Sequence, residues 1–179
     1  MTRVIIVVGK FGSGKTTTAD FFKRKKIPVI SMGQLTEEML QILVYPVTEK
    51  EEKRVRNMLR QTYGLSVYAR YAVQRLIRHT QDPLIIVEGM RSAEEYQYLK
   101  RRLKKIKILY LKTDQKLRIQ RIRDRQIRNL TTKEVVLRNI EEKGLGIGRF
   151  EKIADYIINN SSGKEYLFGQ LEKILSTID

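Results

Sequence analysis

The chain announces its chemistry early. Gly9, Lys10, Phe11, Gly12, Ser13, Gly14, Lys15 and Thr16 fit G-x-x-x-x-G-K-[ST], a loop whose backbone N–H groups curl round a polyphosphate. Such a curl needs residues without Cβ where the backbone is crowded or turns through positive φ, and Gly9, Gly12 and Gly14 provide them. The pattern predicts that the Lys15 ammonium reaches the β- and γ-phosphates and stands exposed when the loop is empty. It also gives Mg²⁺ to the Thr16 hydroxyl and the α-phosphate side to Thr17, with the positive end of the next helix facing the same anion.

A loop of this kind must be held between a buried strand and a helix. Val4 to Val8 form an unbroken apolar run, as expected of a strand covered on both faces, and residues 16–22 open a helix. Further strands are predicted at 28–31, 84–88, 106–111 and 154–158. Helices are predicted at 36–43, 49–63, 66–79, 92–104, 115–128, 132–143 and 164–178. Gly144, Gly146 and Gly148 read as a flexible, hinge-like stretch. Strands alternating with helices make an α/β protein with a parallel sheet covered on both faces.

With 179 residues the chain suits a single domain, 1–179. A hydrophobic fraction of 41% with 31% charged residues is globular, and no run is long and apolar enough to cross a bilayer. The absence of cysteine excludes disulfides and thiolate metal sites and fits a cytoplasmic setting. Thirty-six lysines and arginines against 20 acids give a net charge of +16, which favours anionic partners: nucleotides, phosphorylated metabolites or nucleic acid.

Taken together, the loop at 9–16, the segments at 29–34, 87–92, 144–148 and 154–160 and the helical insertion resemble a P-loop nucleoside monophosphate kinase. The chain looks closest to an archaeal adenylate-kinase-related family, also similar to dephospho-coenzyme-A kinases. That resemblance implies a P-loop NTPase three-layer sandwich whose five-stranded parallel sheet has the order 2-3-1-4-5. It further implies a core of 1–31, 81–114 and 136–179, an acceptor-binding helical insertion at about 32–80 and a small lid at about 115–135. The cofactors implied are ATP and Mg²⁺, the latter held by Thr16 and Glu88. Where adenylate kinases read I-S-T-G-D-M-L-R, this chain carries Met32, Gln34 and Glu37 in place of threonine, aspartate and arginine, which argues against AMP bound in the usual way. Glu88 replaces the more usual aspartate, and its extra methylene alters geometry rather than chemistry.

Phosphoryl transfer asks for alignment and for positive charge around the moving group. Arg118, Arg121, Arg125 and Arg128 recur at intervals of three, four and three, so they share a helix face; Arg121 and Arg125 are the favoured catalytic pair. Arg91 follows the acid-ended strand at the sheet edge where open α/β sheets bind ligands, and is assigned to the acceptor together with Arg56, Arg60 and Arg70. Asn160 lies in the loop where the resemblance puts the donor base. His79, the only histidine, has no partner spacing for a metal or a triad and reads as structural. The leading function is ATP- and Mg²⁺-dependent phosphoryl transfer to a small phosphorylated acceptor such as a nucleotide. The alternative is a nucleotide-switched NTPase acting on RNA or an RNA–protein particle.

Overall fold

The structure, a computed structural model, describes residues 2–124 and 130–178. Arg125 and Arg128, two of the four arginines of the expected stripe, lie outside the described residues. β1 (Arg3–Val8) is buried from Val4 onward because it is the central strand of a five-stranded parallel sheet. The strand order is β2-β3-β1-β4-β5, as expected, with β2 spanning Val29–Ser31, β3 Leu84–Glu88, β4 Ile106–Lys112 and β5 Tyr156–Asn159.

Alternation along β1 divides the core in two. Val4, Ile6 and Val8 pack on one face with Leu40, Val55, Leu59, Tyr68 and Leu99. These come from α2 (Gln34–Ile42), α3 (Glu49–Tyr63), α4 (Val67–Leu76) and α5 (Ala93–Arg102). Ile5 and Val7 pack on the other with Phe21, Phe22, Leu167 and Leu171, supplied by α1 (Lys15–Arg24) and α8 (Lys164–Ser176). Each such side chain contributes about 1.5–3 kcal/mol on burial. A strand apolar on both faces has no polar side to set its register. The ladder pairs Val7 with Glu88 and Val8 with Tyr110, bringing the C-terminal ends of three strands together beside the loop that follows β1.

Local chemistry moves several boundaries away from the expected ones. α2 starts at Gln34, two residues early, because Gly33 is already helical. The expected helix 66–79 is α4 followed by a single 3₁₀ turn, Ile77–His79. α5 and α7 (Thr132–Gly144) are both opened by capping boxes, Ser92 with Glu95 and Thr131 with Glu134. Within the described residues the arginine-bearing helix is α6 (Gln115–Arg123). The glycine stretch 144–148 is not slack. Gly146 turns at φ +80 into a 3₁₀ helix, Ile147–Ile153, whose Ile147 and Phe150 are buried. β5 begins two residues late because the Asp155 carboxylate is used at the sheet edge, accepting from Ile108 N–H at 2.8 Å and Lys107 Nζ at 2.7 Å.

Candidate active site

Between β1 and α1 the loop 9–14 is clamped from three sides. Gly12 turns at φ +81, and a Cβ there would lie 2.8 Å from the Arg118 carbonyl oxygen and against Ile122 of α6. Gly14 turns at φ +99, and a Cβ there would collide with the Asn160 amide. That amide donates to the Ser13 carbonyl at 2.9 Å, and the Thr113 hydroxyl donates to the same oxygen at 3.3 Å. Arg118 Nη1 donates to the Phe11 carbonyl at 2.9 Å and to Asn139 Oδ1 at 3.2 Å. The loop is thus preset by the ends of β4 and β5 and by α6.

Lys15 is half-buried rather than exposed, because its Nζ folds back to donate to the Gly9 carbonyl at 2.6 Å and the Lys10 carbonyl at 3.1 Å. Burial pushes its ammonium down to about pKa 8; Glu142 opposes that shift and Arg91 adds to it. The Phe11 N–H donates to Glu142 Oε2 at 2.7 Å. Thr16, Thr17 and Glu88 line the same cavity, of about 780 Å³. Glu88, half-buried at the end of β3, accepts a hydrogen bond from the Ser31 hydroxyl. A hydroxyl and a carboxylate on one cavity wall are the hard oxygen donors that Mg²⁺ prefers, so the residues present fit that ion.

The same cavity carries a cluster of arginines. Arg56, Arg60, Arg91 and Arg138 all line it. Arg56, only 4% exposed, pairs with Glu49 at 2.7 Å and with Glu52 and Glu141 at 3.4 Å each. Arg60 pairs with Glu141 at 3.1 Å and lies over the Tyr68 ring, whose hydroxyl is 2.7 Å from Thr36 Oγ1. Arg138, on α7, pairs with Glu49 at 2.5 Å and stacks over the Phe11 ring at 4.1 Å. Arg91 makes no ion pair with the described residues, and its Nη1 is buried without a hydrogen-bond partner. Its backbone is fixed by Glu95, whose Oε2 accepts from Arg91 N–H at 2.6 Å and Ser92 N–H at 3.1 Å. Burial pushes the Glu95 carboxyl up, against the pull of those amides.

The structure therefore brings the loop, Glu88, Arg56, Arg60 and Arg91 to one cavity. Arg70 is not brought there: it donates to the Tyr63 carbonyl and secures the end of α3, a task that its place in α4 dictates. Arg118, expected to flank a lid stripe, is buried as a clamp on the loop. Arg121 is half-buried and off the cavity wall, where its neighbour Ile122 lies instead. Asn160 meets the nucleotide loop through Ser13, from beneath. His79 bonds Asp82 at 3.0 Å, away from the cavity. Sequence reasoning missed Glu49, Glu52, Arg138, Glu141 and Glu142. Their helical spacings are visible, but nothing local says that α3 and α7 meet.

This architecture, a glycine-rich phosphate loop between the central strand and first helix of a 2-3-1-4-5 sheet, defines a P-loop α/β protein of kinase-like fold. The chain belongs to the AAA domain family, which matches residues 5–144, and to the UPF0200 family. UPF0200 protein PF1294 of Pyrococcus furiosus is 32% identical over 98% of this chain and 97% of its own length. UPF0200 protein SSO1041 of Saccharolobus solfataricus is 31% identical over 98% and 94%. Among solved structures, TT1252 from Thermus thermophilus superposes with TM-score 0.66 at 22% identity, covering 99% of this chain and 98% of that one. The shikimate kinase from Acinetobacter baumannii, in complex with shikimate, gives TM-score 0.60 at 17% identity over 99% and 94%. No helix among the described residues is long and apolar enough to cross a membrane.

Proposed function

We propose that the chain is an ATP- and Mg²⁺-dependent phosphotransferase acting on a small phosphorylated acceptor such as a nucleotide. One observation carries the reading: the phosphate loop and four arginines, Arg56, Arg60, Arg91 and Arg138, line one cavity of about 780 Å³. Lys15 swings from the Gly9 and Lys10 carbonyls to the β- and γ-phosphates, exchanging two neutral acceptors for anionic ones. Thr16 and Glu88 hold Mg²⁺, which supplies charge neutralisation at the transferring group. Arg91, with a buried and unpartnered nitrogen, takes the acceptor's phosphate, with Arg56 and Arg60 beside it. Residues 32–80 form the acceptor-binding insertion, and Arg121 and Arg125, from a lid at about 115–135, close over the γ-phosphoryl group.

The test is a screen of purified protein with MgATP against nucleoside monophosphates and dephospho-coenzyme A. Phosphorylated acceptor in excess of plain ATP hydrolysis is expected, and its absence for every acceptor overturns the assignment.

A second reading, a nucleotide-switched protein on RNA, has one structural support. α1 and α5 both end in basic stretches, Lys23 to Lys26 and Lys100 to Lys105. That reading requires RNA affinity that falls steeply with salt and differs between ATP and ADP. RNA binding undetectable at low salt removes it.

A further inference from the structure

The nucleotide loop is held by α7 as well as lining the cavity. Glu142 of α7 is 3% exposed, with one carboxylate oxygen accepting the Phe11 N–H at 2.7 Å and the other buried with no hydrogen-bond partner among the described residues. Its neighbour Glu141 accepts from Arg60 Nη1 at 3.1 Å and from Arg56 Nη2 at 3.4 Å on the opposite wall. Consecutive helical residues project about 100° apart, so a single turn of α7 can reach both the loop and the arginines.

We propose that Glu141 and Glu142 are an intrinsic competitor for the site: two adjacent carboxylates that hold the donor loop and the acceptor arginines until substrates displace α7. The inference rests on the phosphotransferase reading. A carboxylate on a loop amide makes the same charge-assisted hydrogen bond as a phosphate oxygen. Glu142 and a bound polyphosphate cannot both stay there, because two anions sharing a buried site strongly disfavour each other. Glu142 is also the leading electrostatic support for the ammonium of Lys15, which stays folded back on the loop. Arg138 strengthens the strap, joining α7 to Glu49 of α3 and stacking over Phe11. Nucleotide must break these contacts, so apparent affinity is lowered by the fraction of molecules in which α7 is released.

Calorimetric titration of MgATP into wild type, E142Q and E141Q decides the matter. Removing the competing charge is expected to tighten binding by about tenfold in E142Q, the scale of one charge-assisted hydrogen bond. E141Q should show a smaller gain, because Glu141 holds the far wall. In wild type, MgATP should lower the hydrogen-exchange protection of α7. If E142Q does not fold, E141Q and the exchange measurement on wild type carry the decision. Wild-type binding with equal or weaker affinity in the variants, or lost turnover at unchanged affinity, overturns the strap alone. No heat from any of the three overturns the nucleotide reading and the strap with it.

Discussion

The two ends of the cavity solve the problem of holding an anion in opposite ways. On the phosphotransferase reading the donor end relies on the backbone of one short loop, which its neighbours on β4, β5 and α6 keep in shape. At the acceptor end four arginines face the cavity, and three of them are already committed to glutamates of α3 and α7. A backbone cradle gains charge when its ligand arrives. An ion-paired wall must instead exchange partners, and in low dielectric every broken pair leaves a costly orphan. On that reading the donor end suits tight, general capture of phosphate. The same reading puts selectivity at the acceptor end, where only an anion of the right shape can replace a carboxylate.

The contrast can be broken most sharply at Lys15. Lys15→Ala is expected to lower turnover by about 10²–10³-fold, the scale of removing one charge-stabilising donor from a transition state. Its circular dichroism spectrum should be unchanged, and its melting temperature at pH 7 no lower than wild type, because burial already disfavours that ammonium. A substitution on the opposite wall should do the reverse. Glu49→Gln leaves Arg56 and Arg138 without their closest carboxylate and is expected to cost about 3 kcal/mol in urea unfolding. Equal effects of the two variants on stability would erase the difference between the two ends of the cavity.

The third prediction concerns pH. Lys15 keeps its proton below about pH 8 in the folded protein, against a reference value of 10.5. MgATP affinity should therefore weaken by about tenfold between pH 7 and pH 9, as the free protein loses the ammonium. Stability has the opposite sign: the unfolded chain holds more protons between pH 8 and 10.5, so the contribution of Lys15 to stability rises over that window. Parallel calorimetry and melting across the range check both signs. The smallest effect serves as a remote control. Val44 sits at φ +54 and is 87% exposed, so Val44→Gly relieves left-handed strain and should gain about 0.5 kcal/mol without altering nucleotide affinity.

The same division explains what could be read from the residues alone. The donor loop is a local code: Gly12, Gly14, Lys15 and Thr16 lie within five positions, and a β-branched run before them fixes the strand. Strand placement gave a parallel sheet, and its order came from the family resemblance. The acceptor wall is a non-local code. Glu49 meets Arg138 across 89 positions, and Phe11 meets Glu142 across 131. Each of these glutamates also reads as an ordinary solvated helix residue. Arg118 misled for the same reason: spacing put it on a stripe, but only the packing of α6 on Gly12 shows that the stripe's first member points into the loop.

The Asn160 amide that reaches Ser13 spans 147 positions of sequence. It makes the far end of the polypeptide a keystone for the near end. A ribosome emitting this protein would release the nucleotide loop long before its keystone exists. Competence to grip phosphate should then arrive late, only once β5 has been laid down against β4 and the loop after it has closed over Ser13.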